Sequence, residues 1–134
     1  MSEICFRAMR PDDENFILNS WLKSYRSSVP LVGDVVYFRE QKYAIRRILL
    51  TAEVHIACDP ADESVVWAYV VSEGNVVHYA YSKFALRRFG LIRALIERAG
   101  LGNHFVCSHL TDAGVKILAS HHSSFTFNPW EVHK

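Results

Sequence analysis

The chain has 134 residues, 50% hydrophobic and 22% charged, with a formal net charge of +1. That length predicts one domain over residues 1–134 with a real core, and that composition excludes a disordered chain. The near-neutral charge excludes a global pull toward nucleic acid or an anionic membrane, and no apolar run approaches a membrane span.

The opening residues, MSEICFRAMRPDD, alternate polar and apolar side chains and carry charges, which predicts no leader peptide. Residues 4–9 read as a strand with Ile4, Phe6 and Ala8 on one face. Pro11 then starts a helix that Asp12 or Asp13 can cap, with Ile17, Leu18, Trp21, Leu22 and Tyr25 as its buried stripe. Pro30 and Gly33 break the chain. A second amphipathic helix is predicted over 41–53, with Ala44, Ile45, Ile48, Leu49 and Ala52 inward and Lys42, Arg46 and Arg47 in water.

A strand over 54–58 ends at Asp59-Pro60, followed by an acidic turn over 61–64. Strands over 65–71 and 76–82 are joined at 72–75, where Gly74 and Asn75 tolerate positive φ. On the second of these strands Tyr79 and Tyr81 share one face, and His78 and Ala80 the other. A helix over 91–99 ends at Gly100 or Gly102. Residues 105–109 read as a buried strand, Thr111 or Asp112 caps a short helix through about residue 119, and 124–130 form a last strand at the sheet edge. Cys5, Cys58 and Cys107 all fall in strands without C-x-x-C spacing, which predicts buried free thiols in a reducing cytoplasm.

Between the strand over 76–82 and the helix over 91–99 runs Arg87-Arg88-Phe89-Gly90-Leu91-Ile92. A strand feeding an arginine-bearing turn at a helix N-terminus suits phosphate, because the first helical N–H groups lack partners and the dipole favours an anion. The segment resembles the pyrophosphate loop of the GCN5-related N-acetyltransferases (GNAT superfamily), Gln/Arg-x-x-Gly-x-Gly/Ala. Arg87 and Gly90 match, while Ile92 stands where the family has a small residue. The order β-α-α-β-β-β-α-β-α-β and the start FRAMRPDDENF are also similar to that family, so the resemblance spans nearly the whole chain.

The resemblance implies an α/β fold with a mixed, largely antiparallel central sheet flanked by helices on both faces. It implies a small cytoplasmic N-acyltransferase with acetyl-CoA as cosubstrate, acting on an amine. Arg87, Arg88, Phe89, Gly90, Leu91 and Ile92 would hold the pyrophosphate, and backbone near Tyr79 and Tyr81 would pair with the pantetheine arm and stabilise the oxyanion. The tyrosine that many members use to protonate the thiolate has no counterpart over 111–124, where Ser120, His121 and His122 fall nearest. Ser120 or His121 would then be the acid, and His109, ending the fifth strand beside the cleft, the base. Trp21, Tyr25 and Arg26 would wall the acceptor site.

Ile92 and the missing tyrosine carry an alternative: a GNAT-like scaffold without standard activity, acting as an interaction protein or modifying a nucleobase, as some bacteriophage-encoded relatives do. The seven histidines show no metal-ligand spacing, so no metal is expected. Nucleic-acid contact through Lys42, Arg46, Arg47, Lys83 and Arg87-Arg88 needs these on one face and is not favoured. The expected assembly is a monomer or a homodimer.

Overall fold

A computed structural model describes residues 4–101, 104–109, 111 and 124–133. Its strands are β1 (Cys5–Ala8), β2 (Glu53–Asp59), β3 (Asp62–Glu73), β4 (Val76–Ser82), β5 (His104–Cys107) and β6 (Ser124–Phe127). Its α-helices are α1 (Glu14–Tyr25), α2 (Asp34–Thr51) and α3 (Leu91–Arg98). The six strands form one sheet in sequence order. Antiparallel pairing joins β1 through β4, and β4–β5 and β5–β6 are parallel. The sheet is mixed, with helices on both faces, as expected.

The two faces are two cores. Ile17, Leu18, Trp21 and Leu22 of α1 and Tyr37, Ile45 and Ile48 of α2 bury against Val54, Ile56, Tyr69, Val71 and Tyr79. On the other face Leu91, Ile92, Leu95 and Ile96 of α3 bury against Ala57, Ala68, Val70, Val77 and Phe105. These contacts follow from period-two alternation along each strand and a 3.6-residue stripe along each helix. Ile17 and Leu95 are fully buried, each contributing roughly 1.5–3 kcal/mol relative to exposure.

Several elements differ from the expectation. The second helix starts at Asp34, seven residues before the predicted 41. Of Val35, Val36, Tyr37 and Phe38 only Tyr37 is buried, so the run shows no helical stripe, and its β-branched and aromatic content reads like a strand. Tyr37 anchors the extra turns by donating from its hydroxyl to the Leu22 carbonyl at 2.6 Å. β3 starts at Asp62 and takes in most of the predicted acidic turn, because Asp59 and Asp62 close the hairpin directly. The stretch before α3 is a 3-10 helix, Phe84–Phe89, rather than a loop.

Asp13 does more than cap a helix. It is 5% exposed, accepts from the Arg10 backbone N–H at 2.7 Å and takes two hydrogen bonds from the Arg7 guanidinium at 2.6 and 2.9 Å. β4 occupies the predicted residues, Gly74 turns the hairpin at φ 55°, and Gly100 at φ 74° ends the third helix. The helix predicted after residue 111 lies outside the described residues.

Candidate functional site

The site begins with a gap beside β4 among the described residues. Its register with β5 covers only Val76↔Val106 and Val77↔Cys107, followed by one bond from the Ser108 N–H to the Val77 carbonyl at 3.1 Å. Against β3, Val71 faces Tyr79 and Ser72 faces Val77, so His78 is an extra residue in a bulge. The Lys83 N–H donates to the Trp67 carbonyl at 2.9 Å. Since N–H groups alternate along a strand, those of Tyr79 and Tyr81 face β3 and those of Ala80 and Ser82 face the gap.

The bulge also re-aims side chains. Tyr79 and Tyr81 join the core under α1 and α2, and Ala80 the core under α3. His78 lines a cavity of about 190 Å³ with Ile48 and Thr51 of α2, Glu73 and Glu131, so it sits beside Tyr79 rather than sharing a face with Ala80. Strict alternation misses this because one inserted residue shifts the phase.

At the end of β4 the 3-10 turn runs into Gly90, whose φ of 69° and ψ of 25° are left-handed. Glycine adopts this at little cost, whereas an L side chain is strained there. A Cβ at Gly90 would meet nothing within 4 Å among the described residues. The first intrahelical bond of α3 runs from the Ala94 N–H to the Gly90 carbonyl at 3.1 Å, leaving the N–H groups of Leu91, Ile92 and Arg93 without intrahelical partners.

Arg87 is exposed beside this turn, its guanidinium 5.1 Å from the Phe84 ring centroid. Leu91 and Ile92 are 1% and 5% exposed, packed in the core under α3. The branched side chain that breaks the family pattern is thus directed into the core. Free N–H groups, a left-handed glycine and a nearby arginine fit a diphosphate. Arg93 is paired with Glu97 at 3.4 Å, and Arg98 lies over the Phe6 ring at 4.1 Å on the side of β1.

Along β4 and α1 runs a cleft of about 510 Å³ lined by Phe16, Asn19, Ser20, Lys23, Ser24 and Tyr81. Ser20 and Ser24 share hydrogen bonds with the Tyr69 and Tyr79 hydroxyls at 2.8 and 2.6 Å. Burial pushes the Tyr79 hydroxyl up to about 12. Of the expected acceptor wall, Trp21 is fully buried and stacks on Tyr79. Tyr25 is half-buried, edge-on to Tyr79 and His109, with its hydroxyl pKa raised by burial. Arg26 clasps the α1–α2 turn through Asp34 at 2.8 Å and the carbonyls of Val29 and Val32, over the Tyr37 ring.

His109 lies just past β5, under both helices. Its ring is edge-on to Trp21 at 5.2 Å and Tyr25 at 5.0 Å between centroids. Burial, with a smaller effect from His78, pushes its pKa down to about 3, so the ring is neutral at physiological pH. Its Nε2 is 2.8 Å from the Gln41 amide nitrogen, and its Nδ1 is 3.0 Å from Ser108 Oγ. Ser108 Oγ is also 2.7 Å from His78 Nδ1, and His78 Nε2 is 3.1 Å from Glu73 Oε1. His78 is 3% exposed and its pKa is lowered, burial outweighing the Glu73 carboxylate.

Sequence reasoning singles out His109 but not Gln41, Glu73, His78 and Ser108, which the fold joins to it. They come from separate elements and form no motif, and only the bulge at His78 brings them into line. Glu73, His78 and Ser108 are the residue types of a hydrolase triad, yet Ser108 is 2% exposed and offers no nucleophile to a substrate. Ser120 and His121, the expected acids, lie outside the described residues. Among the described residues no helix is long and apolar enough to cross a membrane, and no group of three or more His, Cys, Asp or Glu could hold a metal ion.

No protein-family model matches the chain, and no curated protein matches its sequence significantly. Solved structures do match. The apo form of YjaB from Escherichia coli superposes with a TM-score of 0.62 at 15% identity, covering 89% of this chain and 79% of that one. The ribosomal-protein-alanine N-acetyltransferase of Brucella melitensis biovar Abortus 2308 superposes with a TM-score of 0.50 at 14% identity, covering 98% and 86%. The chain therefore has the fold of this N-acetyltransferase, the mixed sheet with helices on both faces that its resemblance to the GCN5-related N-acetyltransferases implies.

Proposed function

We propose that this protein is an N-acyltransferase that moves an acyl group, acetyl first among them, from acyl-CoA to an amine. The observation that carries the reading is the pairing of the left-handed Gly90 turn with the open edge of β4. One end holds phosphate through the N–H groups of Leu91, Ile92 and Arg93 with Arg87 beside them, and Arg88 and Phe89 complete the turn. The other presents the N–H groups of Ala80 and Ser82 where a thioester carbonyl would gain negative charge. The Tyr79–Tyr81 segment therefore acts through backbone.

In this reading the amine nitrogen attacks the thioester carbon, the C–S bond breaks, and a proton leaves the nitrogen for His109. Ser120, His121 or solvent protonates the thiolate. The amine enters by the cleft along α1, walled by Phe16, Asn19, Lys23 and Tyr81, while Trp21 is fully buried and Arg26 is held by the α1–α2 turn. Three free cysteines fit a reducing cytoplasm.

Calorimetric titration with acetyl-CoA tests this, with Arg87→Ala and Gly90→Asp beside the wild type. Micromolar binding weakened in both variants supports the reading. A folded wild type that binds none overturns it and favours a second one, a scaffold of this fold without transferase activity. The observation behind that alternative is the exposed apolar row Leu31, Val35, Val36, Phe38, Tyr43 and Leu50 on and before α2.

A further inference from the structure

The hydrogen bonds around His109 have only one self-consistent direction. A carboxylate only accepts, so Glu73 must receive the proton of His78 Nε2 across 3.1 Å. A neutral imidazole has one N–H, so His78 Nδ1 must accept, and the Ser108 hydroxyl donates to it across 2.7 Å. With its hydrogen committed there, Ser108 Oγ must accept from His109 Nδ1–H across 3.0 Å. His109 is neutral too, so its Nε2 carries a lone pair, and the Gln41 amide donates to it across 2.8 Å.

Every member donates toward Glu73. The chain ends on a carboxylate that is 41% exposed and that Thr51 Oγ1 also holds, at 3.0 Å. Charged groups beside His78 are Arg47 of α2 and Glu131 of the turn after β6, which line the same cavity. His109 faces Tyr25, whose hydroxyl burial keeps protonated.

We propose that Glu73, His78 and Ser108 are positioning residues that fix His109 in its Nδ1–H form, so that its Nε2, capped by Gln41 at rest, is the base for the acceptor amine. This rests on the transferase reading. When the amine displaces Gln41 and attacks, its proton passes to Nε2 while Nδ1–H stays bonded to Ser108. An imidazolium in so enclosed a place is costly, and a row of aligned hydrogen bonds ending on a carboxylate lowers that cost. Fixing the ring also prevents Nε2 from carrying the hydrogen that would disable it.

The test is the tautomer of each ring in the whole chain labelled with ¹⁵N-histidine, read from long-range ¹H–¹⁵N spectra at pH 7 and assigned with His109→Gln and His78→Gln. The expected result is Nδ1–H at His109 and Nε2–H at His78, with His109 moving to a mixed or Nε2–H form in both Glu73→Gln and Ser108→Ala. Glu73 is half-exposed, so its variant keeps the fold even where the Ser108 one does not. Nε2–H at His109 in the wild type, or an unchanged ring in both variants, overturns the proposal.

With an amine that the enzyme acylates, Glu73→Gln is expected to lower kcat about 10- to 100-fold with KM for the amine unchanged. A raised KM at unchanged kcat overturns the base role. Absent acyl-CoA binding overturns the transferase reading and the base role together, while the tautomers still report whether the positioning chain exists.

Discussion

Tyr79 of β4 lies flat on Trp21 of α1, ring centroids 4.8 Å apart and planes 3° from parallel. The stack fixes the first helix over the strand that borders the gap, and the Trp21 ring also stands nearly perpendicular to that of His109. Packing and the candidate chemistry therefore share one aromatic contact. Trp21→Ala is expected to cost about 3–5 kcal/mol, and Tyr79→Phe, which keeps the stack and loses the Ser24 bond, about 1 kcal/mol. Urea denaturation of the two variants checks the ranking, and equal losses would mean that the hydroxyl rather than the stack holds the helix.

The Arg7–Asp13 pair should be a strong point of the fold. Its side chains are 8% and 6% exposed. Burial alone would raise the Asp13 pKa, but the Arg7 guanidinium and the Arg10 N–H outweigh it and hold the carboxyl below its ordinary 3.8. A carboxyl lowered in the folded state adds stability that is full above the ordinary value and is lost as pH falls through the folded one. Asp13→Ala strands a buried guanidinium and is expected to cost about 3–5 kcal/mol at pH 7. The loss should shrink below pH 3.8, which denaturation at two pH values measures.

The buried histidines set a second pH dependence, higher up. His78 and His109 have lowered pKa values, so the unfolded chain binds protons that the folded one refuses. Stability is full above the ordinary histidine value of 6.5 and declines as pH falls toward the folded values, which for His109 is about 3. The slope is at most about 1.4 kcal/mol per pH unit for each histidine. Between pH 7 and 5 the wild type should lose more stability than His109→Gln, as paired urea melts would show. Parallel losses would mean that the ring titrates freely.

Gly90→Ala isolates backbone strain from crowding, because an added Cβ meets nothing within 4 Å while φ is +69°. The expected cost is about 1–2 kcal/mol in thermal or urea unfolding. A neutral substitution would mean that the turn relaxes. Arg87→Ala, at an exposed position, should leave stability within about 0.5 kcal/mol while weakening acyl-CoA binding.

The thiols should divide by burial. Desolvation pushes Cys58 up to about 11 and Cys107 up to about 12, and both are buried. Cys5 faces Cys58 across β1 and β2 but is only partly buried. Alkylation of the native protein at pH 8 should reach Cys5 first and the other two only on unfolding, as mass spectrometry of timed samples would reveal.

Local rules in the sequence determined a good deal. The stripe from Ile17 to Tyr25, the bounds of β4, the hairpin at Gly74 and the start of α3 after Gly90 all depend on neighbours a few positions apart. Periodicity, turn chemistry and caps act over that range, so a single chain reveals them. The glycine turn into α3 was legible for the same reason. Where no buried stripe marks an element, as over the exposed Val35, Val36 and Phe38, the local signal failed.

Tertiary structure alone decided the rest. The bulge at His78 depends on how β3 and β4 settle into register, and it moves one side chain to the other face. The line from Glu73 through His78, Ser108 and His109 to Gln41 joins residues as far as 68 positions apart. No spacing rule encodes such a line, because each bond is made by sheet and helices packing together. A hydrogen bond needs placement to a few tenths of an ångström, and only the assembled fold supplies that.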